Sequence, residues 1–146
     1  MRLLILSFML SLFWPLGAFS RTWYVRNDGT GDTPTIQAAV NSASSGDTVL
    51  VGPGTYSSAN EWPVIIENKN GLTVVSESGP GATQLINGML LNHADSTNVI
   101  GFTLESPDCG LIIWWSHDVL AISKRLPANR RSESQSCIKP GGALFD

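Results

Sequence analysis

The chain has 146 residues, 42% of them hydrophobic and 14% charged, with 14 glycines and 8 prolines to make turns, which is enough for one small domain and no more. Its two cysteines, Cys109 and Cys137, are too few for a disulfide framework and have no zinc-site spacing. An exported compartment would let them pair; they fall in segments of different character, and two unrelated thiols is the preferred reading.

Met1 and Arg2 place one positive charge before the apolar run from Leu3 to Leu16, and Ala18-Phe19-Ser20 supplies a small-x-small site. Residues 1–20 therefore read as a secretory signal peptide cleaved after Ser20. The competing reading is a transmembrane anchor. The run is shorter than the ~20 residues a spanning helix needs and is broken by Pro15 and Gly17, which disfavours it. The mature chain would begin near Arg21, outside the cytoplasm, with no transmembrane segment.

Trp23 and Val25 alternate with Tyr24 and Arg26, which predicts a first strand. Asn27 to Asp32 is a turn-rich connection. Asp28 and Asp32 invite calcium, but the loop lacks the spacing and terminal glutamate of an EF-hand, and a plain turn is favoured.

From Thr33 to Tyr56 the chain reads TPTIQAAVNSASSGDTVLVGPGTY. Thr33 is the predicted cap and Pro34 the first helical residue of a helix over about 34–44. Ile36, Ala39, Val40 and Ala43 draw a narrow apolar stripe that must lie on something flat, and Gly46 is placed to close the C-terminus. Asp47 then opens the strand Thr48-Val49-Leu50-Val51, stopped by Gly52-Pro53-Gly54.

This stretch resembles the N-terminal signature of secreted right-handed parallel β-helix proteins of the pectin-lyase-like superfamily, in which a helix caps the first coil. Residues Asn70 to Glu77 and Asn98 to Leu104 are similar to coils of the same proteins, and the match covers roughly residues 22 to 116. The resemblance implies an all-β solenoid, a right-handed parallel β-helix of about three coils. It also implies candidate activities, as a polysaccharide lyase, glycoside hydrolase or pectin methylesterase, acting in a groove along one strand face. One solenoid hosts many chemistries, so it does not choose among them.

The repeat can be drawn from the residues themselves. Val49 and Val51, Leu72 and Val74, and Ile100 and Phe102 form one expected column of inward pairs. Val64 and Ile66, Leu85 and Asn87, and Leu111 and Ile113 form a second. Two columns advancing together predict a coil rather than a hairpin meander. Asp47, Asn70 and Asn98 precede the first column and are expected to stack as a polar ladder at one corner.

Loops and exposed aromatics carry the candidate binding residues. Trp62, in the long turn from Ser57 to Pro63, is a possible sugar-stacking platform or a lid over the core. Trp114 and Trp115 are adjacent; on a strand they would face opposite ways, so one should be exposed. An exposed indole suits a sugar ring, and equally a contact with the tail or a neighbouring chain.

No catalytic constellation emerges. Glu67, Glu77 and Glu105 sit singly at strand ends; Glu77 and Glu105 occupy equivalent places on successive coils, which could bring them ~4.8 Å apart, although exposure to solvent is favoured. His93 and His117 have no evident third metal ligand. Ser116-His117-Asp118 has triad residue types but consecutive positions, which cannot converge. No cofactor is identified.

Between Arg21 and Ser116 the basic residues Arg21, Arg26 and Lys69 face nine acidic ones, so the body is acidic and bare polyuronate is a poor ligand unless a cation bridges the charges. Residues 117–146 are net basic, without the aromatic interleaving of a nucleic-acid module, and read as a poorly ordered tail. Strand alternation is lost after Trp115, as though the solenoid were broken off near residue 116. The strand edges there are expected to self-associate unless the tail folds over them. The preferred function is a non-catalytic secreted or cell-surface β-helix that presents a strand face to a polysaccharide, cell-surface glycan or partner. The alternative is the N-terminal part of a carbohydrate-active enzyme.

Overall fold

The structure, a computed structural model, describes residues 19–57, 63–105 and 110–125, the last three of these by backbone alone. Trp62, Cys109, Cys137, the leader up to residue 18 and the tail from residue 126 lie outside the described residues.

Among the described residues the chain forms a parallel β-solenoid with one short helix at its N-terminal end, as expected, and of about four turns where about three were expected. Strand β1 (Thr22–Val25) is followed by helix α1 (Ile36–Ser42). Three coils follow: β2 (Thr48–Val51), β3 (Gly54–Ser57) and β4 (Val64–Glu67); then β5 (Thr73–Ser76), β6 (Thr83–Ile86) and β7 (Met89–Asn92); then β8 (Asn98–Glu105) and β9 (Leu111–Trp114). A last strand, β10 (Leu120–Arg125), returns to the first column.

The strands stack in three columns, not two. The first is β1-β2-β5-β8-β10, in which Trp23, Val49, Val74, Val99 and Ala121 are in register. The second is β3-β6 and the far half of β8, aligning Tyr56, Leu85 and Leu104. The third is β4-β7-β9, aligning Val64, Met89 and Leu111. The expected first column is out of register, since Val49 meets Val74 rather than Leu72, and Val74 meets Val99 rather than Phe102. The expected second column mixed two real ones: Leu85 belongs with Tyr56, not with Val64. Inward residues of all three columns, among them Val49, Val74, Val99, Tyr56, Leu85, Leu104, Ile66 and Leu91, fill one buried core. Each such side chain contributes about 1.5–3 kcal/mol of burial.

Helix α1 lays Ile36, Ala39 and Val40 onto that core, with Ala43 buried just beyond, as the stripe predicts. Its cap is Thr35, whose Oγ1 accepts from the Ala38 amide at 3.2 Å, and not Thr33. Proline disfavours helical backbone in the residue before it. Thr33 is accordingly extended along β1, accepting from the Arg26 amide at 3.1 Å and bridging to Val25. Pro34 thus falls before the helix. Gly46 does take positive φ, +86°, but in the turn beyond the C-cap Ala43.

Gln37 does a second job for the cap. Its Oε1 accepts from the Ile65 amide at 2.7 Å and its Nε2 donates to the Ile65 carbonyl at 3.0 Å. One side-chain amide thereby pairs the β4 edge as another strand would, which blunts an exposed edge.

The passage from the third column to the next coil is the most regular part of the molecule. Three times it takes five residues: Asn68–Leu72, His93–Thr97 and Trp115–Val119. Ala43–Asp47 makes the same passage after the helix. The polar ladder exists here, built on partly different residues from the expected ones. Ser45 Oγ accepts from Asn70 N (3.1 Å), Asn70 Oδ1 from Asp95 N (3.1 Å), and Asp95 Oδ1 from His117 N (2.7 Å). Asn70 belongs to it, whereas Asp47 and Asn98 do not. Asn98 donates sideways to Thr73 Oγ1 from within β8. The residues from 120 to 125, assigned to the tail on sequence grounds, are strand and pair with β8 from Asn98 to Leu104.

Candidate aromatic face at the last described coil

The outward side of the third column carries two rows. Ile65, Leu90 and Ile112 form one, half-buried; Glu67, Asn92 and Trp114 form the other. Successive members of a row are one strand spacing apart, ~4.8 Å. Asn92 Nδ2 donates to Glu67 Oε1 at 2.8 Å. Asn92 Oδ1 is buried and accepts from no group among the described residues.

Beside that second row runs the first residue of each corner: Asn68, His93 and Trp115, with φ of 54°, 49° and 49°. Asparagine and histidine are among the residues that tolerate this left-handed backbone, whereas a bulky aromatic is an outlier there. Trp114 and Trp115 are 37% and 63% exposed. Sequence alternation required one exposed indole; both are exposed, because the strand ends at Trp114 and the backbone turns at Trp115. The two aromatics thus crown adjoining rows at the same coil.

Around this face the titratable groups are acids and two histidines. Asp95, half-exposed, has its carboxyl held below the usual range, chiefly by the His117 backbone amide and then by the His117 side chain, whose Nδ1 lies 3.4 Å away. His93 lowers it a little further through its charge, so the two histidines share one corner. Lys69 donates to the Ala43 carbonyl at the helix end. Arg21 pairs with Asp32 at 3.4 Å and lies over the Trp23 ring at 3.7 Å. Arg26 reaches Glu77 at 2.8 Å by passing over Gly52, where any Cβ would come within 2.6 Å of its Nη1.

The other candidates separate. Glu77 follows the first column and Glu105 ends the second, aligned with Ile86, so they are not equivalent positions. Glu105 accepts from the Gln84 amide. Ser116 is buried, its Oγ accepting from Ala94 N at 2.9 Å and donating to the Trp114 carbonyl at 3.0 Å, while His117 and Asp118 are exposed. In the first loop, Asp28 Oδ1 accepts from the Thr30 amide and hydroxyl, which lowers its pKa and makes a turn of it. Asp32 accepts from the Tyr24 amide at 2.9 Å. No group of three or more metal-ligating side chains occurs among the described residues.

Asn92, and Glu67 as its partner, were missed in the sequence. The signal was present in three aligned blocks, VIIENKNGLTVVS from Val64, MLLNHADSTNVIG from Met89 and LIIWWSHDVLAIS from Leu111. Their fourth letters are Glu67, Asn92 and Trp114; their fifth are Asn68, His93 and Trp115.

Comparison with protein-family models, with curated proteins and with solved structures gives no match. The functional assignment therefore rests on this geometry and on the sequence.

Proposed function

We propose that the chain is a secreted or cell-surface β-helix protein, kin to the pectin-lyase-like superfamily, that binds polysaccharide or cell-surface glycan through the Trp114–Trp115 face without turning it over. The observation that carries the proposal is Trp115. A large aromatic occupies a left-handed corner where the two preceding coils use asparagine and histidine, and it leaves most of its ring in water. Backbone strain of this kind costs on the order of 1–3 kcal/mol and concentrates at functional sites. An amphipathic indole beside hydrogen-bonding side chains is suited to the face of a sugar ring. The leader-like segment before Arg21 supports export.

The absence of turnover is supported by the three strand-end glutamates. Glu67 is bonded to Asn92, Glu77 to Arg26 and Glu105 to Gln84, so each has a structural partner of its own. Incubation with polygalacturonate, methylated pectin, alginate and neutral glucans, with and without calcium, tests this. Retention on a glycan without unsaturated products, reducing ends or methanol is the expected result. Turnover of any of them assigns the chain to the carbohydrate-active enzymes instead.

A further inference from the structure

Residues 1–20 read as a leader cleaved after Ser20, and that cut turns the backbone amide of Arg21 into the α-amino group of the mature chain. We propose that this new ammonium pairs with the buried carboxylate of Asp47, so that removal of the leader completes the N-terminal end of the solenoid and stabilises the fold. The inference shares the export reading above and requires no glycan.

The geometry is in place before the cut. Arg21 N donates to Asp47 Oδ1 at 2.8 Å, and the Arg21 carbonyl accepts from Thr48 N at 2.8 Å, so the residue is held on both sides of its Cα. Its guanidinium lies over the Trp23 ring at 3.7 Å, and Trp23 Nε1 donates to Asp47 Oδ2 at 3.1 Å. Neighbours that cleavage leaves untouched therefore position the nitrogen, and forming the pair orders little more of the chain. Upstream, Phe19 and Ser20 are exposed, as are Arg21 and Thr22, so the bond between Ser20 and Arg21 lies where a peptidase can reach it. Ser20 is tied by its Oγ, which donates to the Gly46 carbonyl at 2.8 Å, an exposed hydrogen bond that the cut gives up.

Asp47 is suited to receive the charge. In the uncut chain its donors, Arg21 N, Ser44 N at 2.9 Å and Trp23 Nε1, are neutral groups. Among the described residues no lysine, arginine or histidine side chain forms an ion pair with it, and the Arg21 guanidinium pairs with Asp32 instead. An ammonium adds a full opposite charge at hydrogen-bond distance, which favours the charged form of both groups. The amine beside a carboxylate has a folded pKa above its unfolded value of ~7.7–8.0. Its contribution is present below that value and is lost as pH rises through the folded one. The carboxyl of Asp47, held below its usual range chiefly by the Arg21 and Ser44 backbone N–H groups, sets the acid limit. The stabilisation should thus form a plateau between about pH 4 and 8 and fall away on both sides.

The test compares the full mature chain beginning at Arg21 with the same chain acetylated on its α-amino group, which keeps an N–H donor and removes the charge. A third form retains residues 18–20. At pH 7 the free-amine chain should have the highest urea midpoint, and its lead over the other two should shrink toward zero at about pH 3 and about pH 10. At pH 8 an N-hydroxysuccinimide ester should acylate the Arg21 α-amino group, followed by mass spectrometry, at least tenfold more slowly in the folded chain than in Asp47→Asn. Equal midpoints of the free-amine and acetylated chains at every pH would overturn the inference and leave the export reading standing. So would an exported chain whose first residue is not Arg21. Retention of residues 1–20 after passage through an export pathway would overturn both.

Discussion

At the corner after β9 the backbone holds a tryptophan in the left-handed region, where Asn68 and His93 stand in the coils before it. Replacing Trp115 by the residue of the first coil separates stability from binding. Trp115→Asn relieves the strain and gives up little buried area, so the melting temperature should rise, by about 0.5–1 kcal/mol of stability. Glycan retention should fall at least tenfold. A variant that is both less stable and still binds would show the indole to be a packing residue. Asp47 is the opposite case, a side chain whose work is structural. Its carboxylate accepts from Arg21 N (2.8 Å), Ser44 N (2.9 Å) and Trp23 Nε1 (3.1 Å), tying β1 to the turn after the helix. The two backbone donors are the main reason its pKa lies below the usual value. A depressed folded pKa contributes stability that is present above the unfolded value, ~3.9, and lost as pH falls through the folded one. Stability should therefore decline from about pH 4 downward, and less steeply in Asp47→Asn. Asp47→Ala leaves three donors without an acceptor and should cost about 2–3 kcal/mol by urea titration at pH 7.

The helix and the strands differ in how openly the sequence announces them. The stripe Ile36-Ala39-Val40-Ala43 marks the helix and its buried face, because a 3.6-residue period is written in side-chain chemistry. Its start is ambiguous, because Thr33 and Thr35 are equally good caps on paper. The choice is made by Pro34 and by the pairing of Thr33 with β1, a tertiary contact. Strands of four residues show alternation but not register, which a slip of one or two residues leaves almost unchanged in pattern; hence Leu72 for Val74, and Leu85 in the wrong column. The corner repeat was hidden for a different reason. Its constant feature is backbone conformation, shared by Gly46, Gly71, Ser96 and Asp118 and by Asn68, His93 and Trp115, and these residue types have little else in common. At this scale the cap can be tested on its two faces. Ala39→Glu buries an unpaired charge against the core and should cost about 3 kcal/mol, whereas Asn41→Glu, on the exposed face, should stay within about 0.5 kcal/mol. Gln37→Ala should leave the helix in place and expose the β4 edge. Exchange of the Ile65 amide should then accelerate while that of Leu90, one strand further in, is little altered. Equal acceleration at both would mean that the side-chain pairing contributes nothing to the edge.

In the molecule as a whole each coil touches only its neighbours, so stability is close to a sum of coil terms and coil–coil interfaces. The middle coil, β5-β6-β7, has an interface on both sides in every column. The coil of β8 and β9 does not: β10 pairs along β8 from Asn98 to Leu104, while β9 ends its sheet among the described residues. Large exposed apolar side chains follow the same division. Trp114, Trp115, Leu120 and Ile122 belong to that end and Phe19 and Tyr24 to the other, with none on the middle coil. If the C-terminal end is also where copies associate, sedimentation should be concentration-dependent and Ile122→Lys should abolish the dependence. The sharper consequence concerns cooperativity. Leu91, fully buried on β7, and Ile113, buried on β9, occupy the same inward row of the third column one coil apart. Leu91→Ala removes contacts from two interfaces and should lower global stability by about 3 kcal/mol, shifting the single urea transition. Ile113→Ala should cost the global transition less, and should appear first as local opening. Amides of β9 and β10 would exchange faster by one to two orders of magnitude, while those of β5 and β7 keep their protection. The wild type should show the same gradient in weaker form. Uniform acceleration along the whole solenoid in Ile113→Ala would mean that the coils unfold as one unit and that the end coil is not the weak one.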